Sequence, residues 1–149
     1  DYLCFIVNQV KPYIDNHYRT YKSAKNTAIM GSSFGGVCSM YAALEYGEYF
    51  SRFGCVSNAF YVVQNELEEL ARNSSVSHIK KFYMDVGTNE ASNAIESQNY
   101  IDSNQAIYNI FSQKMEHKKL KFILAEGAIH NEDAWRVRFA DIISFLFND

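Results

Sequence analysis

The feature that most constrains this chain is an alternation of two kinds of segment. Short apolar runs at 26–31, 53–57, 79–86 and 120–126 are separated by longer stretches with apolar residues at helical spacing. The runs do not alternate polar with apolar residues, so each is expected to be covered on both faces. The intervening stretches 34–46, 60–72 and 98–116 predict helices, with a last helix over 132–147 and an opening one over 2–14. In the opening helix Leu3, Ile6, Val7, Val10 and Ile14 share one side, and Pro12 shortens or kinks its end. Gly47 stops the second helix, and Val63, Leu67 and Leu70 give the third an apolar side. Ile101, Ile107, Ile110 and Phe111 turn the fourth towards the core, while 88–97 and Gly127 to Asn131 read as loops. The expected fold is α/β: a parallel sheet of about four strands in three layers, with helices on both faces and right-handed crossovers. One Pro, seven Gly and no repeat or linker predict a single domain over 1–149.

Composition removes several classes of function. A net charge of -3 offers no basic stripe for nucleic acid. No apolar run approaches the roughly 18 residues that a membrane helix needs, so no membrane partner is expected, and no signal peptide is visible. Cys4, Cys38 and Cys55 lack any paired spacing and sit in apolar runs, which predicts buried free thiols in a reducing, cytoplasmic setting. No Cys or His pair has ligand spacing, so neither a metal nor another cofactor is expected.

In parallel sheets, sites form beyond the C-terminal ends of strands. There the sequence places 31–36, Ser57 and Asn58, 85–90 and 127–131. Gly31-Ser32-Ser33-Phe34-Gly35 fits G-x-S-x-G between a strand and a helix, the context that a nucleophilic serine on a sharp turn requires. Small residues two before and two after Ser33 keep strand and helix from colliding. The N–H of Phe34 would be one donor to an oxyanion. The stretch lacks the Gly-Lys-Ser/Thr ending of a phosphate loop.

A serine hydroxyl needs a base, and the base an orienting carboxylate. Of four histidines, His130 alone follows a strand and precedes a helix; His17, His78 and His117 read as solvent-exposed. For the acid, Glu90 lies in the loop beyond the Gly87 turn and Asp85 inside the strand. The loop position reaches the imidazole more readily, with Asp85 the alternative and a dyad without either a third reading.

At these residues the chain resembles the putative-esterase family of α/β-hydrolases, which includes esterase D, feruloyl esterases and siderophore esterases. The matching stretches are NTAIMGSSFGGVCSMY (26–41), FYMDVGTNE (82–90) and GAIHNEDAWRVR (127–138), and the likeness extends over essentially the whole chain. The resemblance implies a serine carboxylic ester hydrolase working through an acyl-enzyme on a small-molecule ester. It also favours Glu90, as fourth residue of a Gly-x-x-Asp/Glu motif, over Asp85. Family members carry further strands before this point, and a loop there supplies a second oxyanion donor. This chain is therefore expected to be the C-terminal part of the catalytic domain. Weak or no activity is expected of it alone, and 26–31 is expected to form an open edge. That edge should pair with a second copy or a preceding segment, or lie under the N-terminal helix. Acyl transfer and a non-catalytic binding domain are the rival functions.

Overall fold

The computed structural model describes residues 2–148; the outermost residues of the expected domain, 1 and 149, lie outside the described residues. Four strands form one parallel sheet in the order β1 (Ala28–Ser32), β2 (Arg52–Val56), β3 (Lys81–Asn89) and β4 (Leu120–Ile129). Because spatial order follows chain order, crossovers of one hand put every connecting helix on the same face. Accordingly α3 (Phe34–Glu45), α4 (Gln64–Asn73) and α5 (Ala94–Ser112) enclose one core with Phe53, Phe82, Met84, Leu67, Ile107 and Phe111. The last helix, α6 (Glu132–Phe147), covers the opposite face with Ile142 and Leu146 against Val56 and Tyr83. Successive side chains of a strand point to opposite faces. Phe82 and Met84 therefore enter the first core and Tyr83 the second.

The inner strands are buried along nearly their whole length, while β1 is half-buried throughout. Among the described residues β1 pairs only with β2, so its outer edge carries no partner strand. Alongside it runs an apolar groove of about 380 Å³ lined by Met30, Val56, Trp135, Phe139 and Ile142.

Several boundaries differ from the expected ones. The N-terminal helix runs as α1 (Tyr2–Phe5), a π-helical turn (Ile6–Val10) and α2 (Lys11–His17), beyond the predicted end at 14. The Lys11 N–H reaches back to the Ile6 carbonyl, one residue further than in an α-helix. The widened turn lies just before Pro12, which has no N–H to continue the ladder. The amphipathic stretch after β2 begins as a 3₁₀ turn (Phe60–Val63). Helix α5 starts four residues early, at Ala94, because the Asn93 side chain accepts the Glu96 N–H and caps it. Strands β3 and β4 extend past the predicted ends into both expected loops.

Candidate active site

Ser33 joins β1 to α3 at φ 57° and ψ -120°. A non-glycine residue in this region carries strain on the order of 1–3 kcal/mol, sustained only where surroundings enforce it. Here the Ser33 N–H donates to the Val56 carbonyl at 2.9 Å, and the Ser33 carbonyl accepts from Gly36 and Val37 in the first turn of α3. Gly31 explains the tightness: a Cβ there would stand 2.6 Å from the carbonyl carbon of Gly35. Gly35 itself faces open space, so only the first glycine of the motif is sterically required. Gly36 is constrained differently, by the Asn58 side chain against it. Phe34 opens α3 with its ring 66% exposed, and its N–H belongs to the first turn, where no intrahelical acceptor exists.

His130 follows β4 directly, and Asn131 caps α6 by accepting the Ala134 N–H at 2.8 Å. Its Nδ1 lies 2.6 Å from Oε2 of Glu90, whose side chain is fully buried. The other Glu90 oxygen accepts the Gly87 N–H. With a carboxylate on Nδ1, that nitrogen carries the proton and Nε2 is left as acceptor.

The meeting of Glu90 and His130 depends on a register change. Gly87 pairs with Ala125 but Asn89 pairs with Ile129, so β4 spends two more residues than β3 over this interval. The excess is taken up around Gly127, at φ 70°, whose N–H donates to Thr88 Oγ1 at 2.8 Å. Beyond the irregularity Glu90 and His130 follow directly on paired neighbours. Gly87 allows the close approach, since a Cβ there would lie 2.3 Å from the Ala128 carbonyl oxygen.

Asp85, the alternative acid, is engaged elsewhere. It is fully buried and accepts from Arg138 Nε at 2.8 Å, the Tyr83 hydroxyl at 2.9 Å and the Ser57 N–H at 2.9 Å. Arg138 also donates to Ser57 Oγ at 3.1 Å, so one guanidinium ties α6 to the ends of β2 and β3. Ser57 is the second non-glycine residue with positive φ, at 46°. Ser57 lies at one of the strand ends picked out from the sequence, but its link to Arg138 leaves no mark there because it spans 81 residues.

Ser33 follows β1, and Glu90 and His130 follow β3 and β4, so all three occupy the same rim of the parallel sheet. Trp135 links the two ends of that rim: it lines the groove beside Ser32, and its ring meets His130 edge-on at 5.1 Å. Tyr100 also meets the imidazole, 5.4 Å between centroids, and Tyr61 meets Tyr100 in turn at 4.8 Å. Tyr100 sits mid-helix with nothing in the sequence to mark it.

The remaining histidines are placed as follows. His17 and His117 are exposed, as expected. His78 is half-buried, bonded to the Ala43 carbonyl at 2.9 Å and edge-on to Phe53, which corrects the reading of it as solvent-exposed. The three cysteines are free, but only Cys55 is buried; Cys4 is exposed and Cys38 half-exposed, contrary to the expected burial. Among the described residues no group of three or more His, Cys, Asp or Glu is placed to hold a metal ion. No described helix is long and apolar enough to cross a membrane.

A family model described as putative esterase matches residues 1–146. The chain belongs to the putative esterase family. A curated relative, the uncharacterized protein YbbA of Bacillus subtilis, is 22% identical over 98% of this chain. This chain spans 59% of YbbA. Solved structures share the fold. The enterobactin esterase FES of Shigella flexneri superposes with a TM-score of 0.76 at 19% identity, covering 97% of this chain and 38% of that one. The siderophore hydrolase EstB of Aspergillus nidulans gives 0.76 at 14% identity, over 97% and 56%. A ferulic acid esterase gives 0.75 at 17% identity, over 98% and 60%. The α/β-hydrolase-type architecture expected from the sequence is thereby established.

Proposed function

We propose that the protein is a serine carboxylic ester hydrolase in which Ser33 is the nucleophile, His130 the general base and Glu90 the orienting acid. The observation that carries this reading is the buried Glu90 carboxylate bonded to His130 Nδ1, on the same sheet rim as a serine held at positive φ. In the proposed reaction His130 Nε2 takes the Ser33 proton as the hydroxyl attacks a small-molecule ester. The Phe34 N–H, backed by the α3 dipole, stabilises the oxyanion. The imidazolium then protonates the leaving alcohol, and a water activated by the same nitrogen releases the acid. Glu90 fixes the tautomer and steadies the imidazolium. Asp85, held by Arg138, Tyr83 and Ser57, serves to tie the sheet to α6. Three free cysteines support a cytoplasmic setting.

The test is covalent labelling with a fluorophosphonate probe, together with hydrolysis of an ester panel that includes the esters for which the solved relatives are named. Labelling of the parent and none of Ser33→Ala is the expected result. Equal labelling of both would remove Ser33 from its role. No labelling of a full-length form, with folding intact, would point to a binding domain. Acyl transfer would show as ester formation with an added alcohol at the expense of free acid.

A further inference from the structure

We infer that Tyr100 is a positioning residue for His130, holding the imidazole plane through ring contact while Tyr61 braces it from behind. This rests on the catalytic reading of His130 given above. Among the described residues the imidazole has one hydrogen bond, at Nδ1, which with its Cβ tether leaves the tilt of the ring plane only loosely held. Ring contacts supply the missing constraint. Tyr100 meets the imidazole at 5.4 Å with the rings tilted by 56°, and Trp135 meets it at 5.1 Å with the rings near perpendicular at 88°.

The Tyr100 side of this clamp stands on a rigid base. Its carbonyl accepts from Asn104 Nδ2, which also donates to the Asn58 carbonyl; both bonds are 2.9 Å. Asn58 Nδ2 returns a bond to Asn104 Oδ1 at 2.9 Å, and both asparagines are fully buried. This reciprocal pair pins the Tyr100 turn of α5 to the segment after β2, the segment that carries Tyr61. The two tyrosines therefore move as one wall. Burial, and then the neighbouring Tyr61 phenol, push the Tyr100 phenol well above its usual range. Tyr100 thus stays uncharged at any working pH and supplies shape rather than charge.

Misplacing a catalytic group by about 1 Å can cost on the order of 10²-fold in rate. A partly freed imidazole should lose less, so Tyr100→Leu is expected to lower kcat about tenfold with KM changed less than about twofold. Tyr100→Phe, which keeps the ring, should restore the parent rate. A second readout does not depend on turnover: the low-field proton resonance of His130 Nδ1–H bonded to Glu90. It should persist in Tyr100→Phe and broaden away in Tyr100→Leu. If Tyr100→Leu proves unfolded by circular dichroism, Tyr61→Leu at the half-exposed brace serves instead, with a smaller loss of the same kind.

A parent-like rate and resonance in the folded leucine variant would overturn the inference, as would equal losses in Tyr100→Phe. Either result leaves the Ser33 labelling test standing. A parent that shows neither labelling nor the resonance would overturn the catalytic reading instead.

Discussion

The two glycines of the serine turn, alike in the motif, differ in what they touch. Gly31 presses on the Gly35 backbone, whereas the space where a Gly35 side chain would go is empty. Overpacking of a tight site typically costs about 1–3 kcal/mol, so Gly31→Ala should lower the urea midpoint accordingly. Gly35→Ala lies in the first turn of a helix and should be neutral or stabilise by up to about 1 kcal/mol. Equal midpoints for the two variants would contradict the geometry. At the same scale, Glu90→Gln keeps shape but loses the charge that fixes the tautomer; kcat should fall by up to about 10⁴-fold with little change in stability. Kinetics and melts on the same samples check this. The serine was legible because its motif is local, from Gly31 to Gly35. Which carboxylate meets His130 was legible only as a choice between Glu90 and Asp85, because a two-residue slip between β3 and β4 brings Glu90 to it. Such a slip leaves no mark on hydrophobic spacing. His78 was misread because its partner, the Ala43 carbonyl, lies 35 residues away.

At the scale of elements, Arg138 joins α6 to the strands beneath it. Its guanidinium meets a fully buried Asp85. Removing one partner of a buried ion pair strands the other, at a typical cost of about 3–5 kcal/mol. Arg138→Met should therefore destabilise by that order in urea unfolding. Adding Asp85→Asn should recover part of the loss, since the stranded charge is gone; a strictly additive double variant would show that the pair is not coupled. Helix α6 was legible end to end, its start marked by Asn131 and an acidic first turn. The start of α5 was not: Ala94 to Ser97 read as the end of a polar loop until the Asn93 cap is seen. The π turn before Pro12 was likewise hidden, since spacing alone does not reveal which carbonyl a given N–H will choose.

For the whole molecule, the outer edge of β1, without a partner strand among the described residues, and the groove beside it set behaviour in solution. An unpaired apolar strand edge is a template for another strand. We propose that the 149-residue chain on its own pairs with a second copy there. Sedimentation should show a dimer or larger species, shifted towards monomer by Met30→Lys; a monomeric parent at micromolar concentration would contradict this. A separate expectation concerns alkali. Burial, with Glu66 beside it, raises the Tyr41 phenol to about 12, and burial pushes Tyr83 up further. An unfolded tyrosine loses its proton near about pH 10, so above that pH the unfolded chain binds fewer protons than the native one. Stability should be unaffected by these groups below about pH 10 and fall as the pH rises towards about 12. Urea midpoints across that range check the slope, which Tyr41→Phe should reduce.

The sheet has each strand lying beside the one made just before it. Growth of the layer can therefore keep pace with synthesis, each new strand finding its neighbour already in place. The hydroxyl at position 33 is in place before the imidazole at position 130, which follows the strand β4. On the proposed reading, the serine turn would thus stay dormant during translation until the segment carrying β4 had emerged.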